Sequence, residues 1–186
     1  TGWEVGRLKT RLRAAWAAHN AGRYADGLRL SESAPASGSD AAEWLYLKAN
    51  CQRQLLRHAD AATAYRAMLK AHASSRFADA ARYELALALY KDGKYQEAVS
   101  EAEVLTGHDA LQKDIFWLLA ESHAALNQAD DAVQYYRLIA RDYPASGVAC
   151  EATYRLAYHL QARSDFVQAA TQFGQVAAQW PEHELA

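Results

Sequence analysis

Seven histidines (His19, His58, His72, His108, His123, His159 and His183) and two cysteines (Cys51 and Cys150) are the side chains of this sequence best suited to hold a metal or act as base or nucleophile. Their spacing does not assemble that chemistry. A zinc-binding helix needs two histidines on one face, four residues apart, with an acid to activate water, and no histidine pair has that arrangement. There is no Cys-x-x-Cys. No glycine-rich run could wrap backbone amides around a phosphate, and no serine or cysteine stands in a nucleophile turn. The acids Asp130 and Asp131 fall at a predicted helix start, where carboxylates favour the free amides of the first turn. The residues therefore imply no catalytic group, no metal and no cofactor, and the chain is expected not to be an enzyme.

Composition narrows the remaining classes. The 186 residues carry 20 basic and 22 acidic side chains, a formal charge of −2, which argues against a nucleic-acid binder. The first 30 residues are locally basic, with Arg7, Lys9, Arg11, Arg13, Arg23 and Arg29 against Glu4 and Asp26. That patch reads either as a solvated helix face or as a dock for an acidic partner. Hydrophobic residues make up 51% of the chain, enough for a continuous core, and alanine, a strong helix former, supplies most of the excess. Proline is confined to Pro35, Pro144 and Pro181, and no period-two strand pattern is present, so an all-α fold is expected. No apolar run approaches the ~20 residues that span a bilayer, and no signal-peptide core is seen.

The elements that would position any site follow from a repeat. Small residues recur at Gly27, Ala61, Ala98, Ala132 and Ala169, with gaps of 34, 37, 34 and 37 residues. Twelve positions before each stands another alanine: Ala15, Ala49, Ala86, Ala120 and Ala157. Fifteen before stands a large residue: Leu12, Tyr46, Tyr83, Trp117 and Tyr154. A period of this length predicts stacked helical hairpins, about five of them. In each hairpin the first helix carries the large residue and, one turn on, the alanine that lets its neighbour approach. The second helix starts near the anchor and continues with Tyr65 and Met68, Tyr136 and Ile139, or Phe173 and Val176. The turn lies five residues before the anchor, at Gly22, Leu56, Gly93, Asn127 and Ser164. Glycine and asparagine suit a left-handed helix end, while Leu56 does not, so that turn is expected to close differently. Asp40 and Glu43 fit a capping arrangement at a helix start, after a loose, mobile stretch from Ser31 to Ser39.

The two 37-residue gaps share a link, His72-Ala-Ser-Ser75-Arg-Phe-Ala78 and Tyr143-Pro144-Ala-Ser146-Gly-Val-Ala149, whose three extra residues lengthen either the link or the next first helix. Trp180 to Ala186 aligns with the same link, so residues 1–186 read as a single domain that is a fragment of a longer array. Cys51 and Cys150 fall three repeats apart. With packed helices ~8–10 Å apart and a disulfide needing Cα atoms within ~7 Å, no bond between them is expected, and both read as small apolar fillers.

The set Tyr154-Arg-Leu156-Ala157, the tight turn, the anchor alanine, Phe173 and a final Pro181 resembles tetratricopeptide repeats over essentially the whole chain, with Leu12 and Gly27 making the first repeat the weakest match. The link Tyr143-Pro144-Ala-Ser146-x-x-Ala149-x-x-Ala152-x-Tyr154 resembles more particularly bacterial envelope members, the outer-membrane-assembly lipoprotein and Tol–Pal-associated periplasmic types. The resemblance implies an α-α superhelix, or solenoid, of about five repeats whose first helices line a concave groove. Counting back from the anchors, it places Arg13, Trp16, His19 and Asn20 there from the first repeat, and Asn50, Arg53 and Gln54 from the second. The third adds Glu84, Tyr90 and Lys91, the fourth Glu121, and the fifth Arg155, Tyr158 and Gln161. Arginine, tyrosine and tryptophan dominate binding energy at interfaces, though any one of these residues could equally be a solvated or inter-helix side chain. The lysine–asparagine set by which chaperone-binding relatives clamp a terminal carboxylate is not seen: Asn20, Asn50 and Lys91 are scattered, and Glu84 and Glu121 would oppose an acidic tail.

The resemblance thus implies a non-catalytic scaffold or adaptor that binds a protein or peptide segment in its groove, with self-association through the array ends as a further partner mode. It implies the bacterial periplasm or outer-membrane surface, with the cytoplasm as the alternative. The other reading is a helical targeting or assembly module of a larger envelope enzyme or export complex.

Overall fold

The computed structural model describes residues 2–32, 38 and 40–185. Among them the chain forms ten α-helices and no strand: α1 (Gly2–Asn20), α2 (Tyr24–Ser31), α3 (Ala41–Gln54), α4 (His58–Ala71), α5 (Ala78–Lys91), α6 (Tyr95–Glu103), α7 (Gln112–Ala125), α8 (Ala129–Asp142), α9 (Ala149–Ala162) and α10 (Phe166–Gln179). The all-α class and the helical-hairpin repeat are those expected from the period. The chain divides into two compact units, Thr1–Glu101 and Ala102–Ala186.

In the first unit, Leu12, Ala15 and Leu28 pack with Trp44, Leu47 and Cys51. A second cluster joins Ala49, Ala61, Tyr65 and Met68 to Leu85, Leu89 and Ala98. In the second unit, Ala120, Ala132, Tyr136 and Ile139 pack with Ala152, Leu156, Leu160 and Ala169. All five alanines of the twelve-before column have no exposed surface, because that is where neighbouring backbones come closest.

Each of the five turns is closed by a left-handed residue: φ is +74° at Gly22, +60° at Leu56, +77° at Gly93, +58° at Asn127 and +63° at Ser164. Leu56 corrects the expectation that its turn would close differently. Its amide donates to the Arg53 carbonyl at 2.9 Å and the Arg57 amide to the Gln52 carbonyl at 2.9 Å, the same pair of bonds made around Gly93 and Asn127. The hydrogen bonds gained outweigh the side-chain penalty, and the Leu56 side chain points into solvent.

Asp40 does stand immediately before α3, but its side chain makes no capping bond. Glu43 is drawn elsewhere, accepting from the Trp16 indole at 2.8 Å and pairing with Arg76 at 2.9 Å, so the expected reciprocal cap does not form. Of the stretch expected to be loose, Ser31 belongs to α2 and is buried, its hydroxyl donating to the Leu28 carbonyl at 2.7 Å. Residues 33–37 and 39 lie outside the described residues.

The extra residues of the long gaps lengthen neither the link nor the next first helix, the two places expected from the sequence, but the second helix: α4 and α8 have 14 residues against 8 in α2 and 9 in α6, and the links 72–77 and 143–148 are shorter than 104–111. The first helices α3, α5, α7 and α9 all have 14 residues. Ser75 and Ser146 begin equivalent turns, their amides donating to the carbonyls of His72 at 3.0 Å and Tyr143 at 2.9 Å. Cys51 and Cys150 are free and buried, one in each unit, and burial pushes the Cys51 thiol up to about 11. None of the described helices is long and apolar enough to cross a membrane.

Candidate functional site

In the first unit, α1, α3 and α5 present the residues expected to bind. Their helical spacing puts Trp16 one turn from His19, the rings 5.5 Å apart and edge-on. Trp16 also lies 6.3 Å from Tyr46, which stacks on Phe77 at 5.1 Å. The Arg76 guanidinium sits 4.6 Å over the Phe77 ring and reaches Glu43, which also holds Trp16. A run of aromatic rings is thus fixed at both ends by one carboxylate. Sequence reasoning left Glu43, Tyr46, Arg76 and Phe77 off this face. By its column Tyr46 reads as core filling, and Arg76 and Phe77 lie in a link.

Behind these rings, Asn50 and Arg53 are committed to the protein itself. Asn50 is buried and accepts from the Tyr65 hydroxyl at 2.7 Å. Arg53 Nε lies 2.7 Å from Glu84, both side chains about one-fifth exposed. Burial raises the pKa of Glu84, outweighing the nearby positive charges of Arg53 and His19, and burial likewise raises that of Tyr46 against its bond to Asn50. Arg13 stands exposed on α1. At the end of α5, Tyr90 lies 5.5 Å from Tyr95, with the Lys91 ammonium 5.5 Å over its ring.

In the second unit, α7 and α9 carry a related arrangement with different partners, Arg155 standing at the position of Glu84 and Glu121 at that of Asn50. The Tyr136 hydroxyl donates to Glu121 at 2.5 Å, the positions matching Tyr65 and Asn50. Where Glu84 answers Arg53, here Arg155 answers Glu121 at 4.0 Å and is held by Glu151 at 2.8 Å. His159, absent from the expected set, stacks on Tyr136 at 5.7 Å and meets Tyr158 edge-on at 6.0 Å. Burial, then the neighbouring Arg155, lowers its pKa. Tyr158 is 57% exposed, and Gln161 is exposed one turn beyond. The expected residues therefore fall into one group per unit, Trp16, His19, Asn50 and Arg53 in the first and Glu121, Arg155 and Tyr158 in the second.

Chemically these faces offer fixed rings, an exposed arginine and phenol, and paired carboxylates. That inventory suits non-covalent recognition of a polypeptide. Among the described residues, no group of three or more His, Cys, Asp or Glu side chains is placed to hold a metal ion.

Helical hairpins with alanine contact columns and left-handed turns define a helical-repeat protein. A family model described as tetratricopeptide repeat matches residues 12–76, 53–107 and 83–147, so the chain belongs to the tetratricopeptide repeat family. A search of curated proteins finds no match. Among solved structures, MamA residues 41 to the end from Desulfovibrio magneticus RS-1 is 17% identical, covers 95% of this chain and 97% of its own, and superposes with a TM-score of 0.82. The TPR-like repeats of a Podosopora anserina putative kinesin light chain are 18% identical, covering 92% and 94% of the two chains with a TM-score of 0.72. YrrB, described as a TPR protein with an unusual peptide-binding site, is 15% identical, covering 94% and 87% with a TM-score of 0.78. At these identities the likeness establishes the fold.

Proposed function

We propose that this chain is a non-catalytic scaffold that binds an extended segment of a partner protein on the faces formed by its first helices. Tetratricopeptide repeat proteins generally mediate protein–protein interactions, and the family is generally non-catalytic. The observation that carries the reading is on α9. Arg155 and Tyr158 are 44% exposed in side chain and 57% exposed overall, one turn apart on a rigid helix, with Arg155 already oriented by Glu151 and Glu121. Oriented arginine and tyrosine lose little conformational freedom on binding, which makes them efficient anchors. The peptide-binding site of YrrB supports the same use of the fold.

The test is selection from a random peptide library on the full chain, followed by affinity measurement on Arg155→Ala/Tyr158→Ala. Peptides selected on the native protein should bind the variant about tenfold or more weakly, with unchanged helical circular dichroism. Equal affinity for both proteins would remove α9 from the interface.

We further propose a periplasmic or outer-membrane-associated location in a bacterium, supported by the link Tyr143 to Tyr154 and its likeness to envelope members. Protease protection of the tagged protein in intact cells and spheroplasts tests it; protection in spheroplasts as well would place the protein in the cytoplasm.

A further inference from the structure

The helices α3, α4, α5 and α6 begin at Ala41, His58, Ala78 and Tyr95, and α7, α8, α9 and α10 begin at Gln112, Ala129, Ala149 and Phe166, each 71 residues later. Every position in the first set therefore has a counterpart in the second, and differences at one position can be read directly.

In the first set α6 is tied to α4 and α5 by charge. Arg66 on α4 pairs with Glu97 on α6, and Arg82 on α5 pairs with Glu101 on α6 at 2.7 Å. In the second set, Arg66 is matched by Arg137, but Glu97 and Glu101 are matched by Gln168 and Gln172. Arg82 is matched by Thr153, whose hydroxyl is occupied by the Ala149 carbonyl at 2.8 Å. The arginine has been kept and its carboxylate removed. Among the described residues Arg137 makes no ion pair, and α10 contains no charged side chain at all.

The space between α8 and α10 is correspondingly open. A cleft of about 660 Å³ is lined by Asp130, Gln134, Arg137 and Arg141 on one wall and Asp165 and Gln168 on the other, with Val133, Leu160 and Arg163 between them. It continues past Gln172 and Gln175 over Leu156. Gln168, Gln172 and Gln175 are spaced four and three apart, so they form one stripe along α10. Each amide both donates and accepts, which matches the alternating groups of an extended backbone. Arg141 is engaged by Asp142 at 2.6 Å and Arg163 by Asp130, while Asp165 accepts from the Gln168 backbone amide at 3.3 Å, which leaves Arg137, among the described residues, as the cation of the cleft without an ion pair.

We infer that the cleft between α8 and α10 is a docking groove for an extended acidic segment of a partner protein, whose carboxylate takes on Arg137 the place that Glu97 takes on Arg66. The charge left uncompensated at Arg137 selects the sign of the ligand, and the glutamine stripe holds its backbone. This groove belongs to the second helices and does not depend on the first-helix face described above.

The probe is a fluorescein-labelled decapeptide of alternating alanine and glutamate, with glutamine replacing glutamate in the control. Anisotropy titrations use the full chain and its Gln168→Glu, Arg137→Gln and Arg155→Ala/Tyr158→Ala variants. Gln168→Glu restores the internal carboxylate of the first set, so it should close the site without disturbing the fold. The glutamate peptide should bind the native chain in a salt-sensitive way and bind both groove variants about fivefold more weakly. The glutamine peptide should be weaker on the native chain by a similar factor, and the Arg155→Ala/Tyr158→Ala variant should bind the acidic peptide normally. Equal binding by the native chain and both groove variants, or no saturable binding to the native chain, would overturn the inference. So would sedimentation showing a native dimer that Gln168→Glu dissociates, since a second copy would then fill the groove.

Discussion

At Leu56 a branched, exposed side chain sits on a left-handed backbone, φ +60°, where its counterparts at Gly22 and Gly93 carry no Cβ. That conformation disfavours an L side chain by ~1–2 kcal/mol, while glycine gives back ~0.5–1 kcal/mol in chain entropy. Leu56→Gly should therefore raise stability by about 0.5–1 kcal/mol, seen as a higher urea midpoint; a lower midpoint would show that the side chain contributes contacts. Gly27 is the opposite case. A Cβ there would lie 2.9 Å from Cys51 Sγ and 3.3 Å from the Ala15 carbonyl, which explains why the first repeat lacks the usual anchor alanine. Gly27→Ala should cost about 1–3 kcal/mol, and Cys51→Ala in the same chain should recover much of it. A double-mutant cycle with no coupling would reject this steric account. The left-handed turn was legible in the sequence at Gly22, Gly93 and Asn127. At Leu56 that reading failed because residue preference is weaker than two backbone hydrogen bonds. Gly27 looked like a weak match because its reason, Cys51, lies in the next repeat.

Among elements, the alanine columns decide how closely first helices meet their neighbours. Ala86 and Ala157 have no exposed surface, so Ala86→Leu or Ala157→Leu should overpack a helix contact and cost about 1–3 kcal/mol. The exposed Ala178 on α10 is the control, where leucine should change stability by less than about 0.5 kcal/mol. Thermal melts followed by circular dichroism distinguish the two, and indifference at Ala157 would discard the contact. These columns were legible because contacts between packed helices recur at fixed spacing. The role of Glu43 was not. A carboxylate three residues after Asp40 fits a cap, yet a charge-assisted bond to Trp16 and an ion pair to Arg76 compete for the same atoms and win.

On the scale of the whole molecule, stability should respond to pH through His159. Its folded pKa lies below the ordinary 6.5 because burial, then Arg155, disfavours the imidazolium. The unfolded chain thus takes up the proton more readily, and this contribution to stability is present above pH 6.5 and is lost as pH falls through that value and below. Urea unfolding should give a smaller free energy at pH 5.5 than at pH 7.5, with the difference reduced in His159→Gln. Glu84, with a raised pKa, acts in the opposite direction as it protonates, so the variant rather than the native profile isolates the histidine. An unchanged difference in His159→Gln would assign the pH response elsewhere.

The sequence by itself determined the helical class, the hairpin period, the buried alanine columns and the family, because each depends on contacts repeated at short, constant separation. It also pointed to Trp16, Arg155 and Tyr158 as surface recognition groups. Only the tertiary structure decided which polar residues are already spent: Asn50 on Tyr65, Arg53 on Glu84 and Glu121 on Tyr136. It alone showed that Arg137 keeps its charge while its matching carboxylates have become glutamines. Those outcomes rest on side chains 15 to 33 residues apart brought together by packing, as with Tyr65 and Asn50 or Arg76 and Glu43, and no local pattern encodes which of several candidate partners arrives.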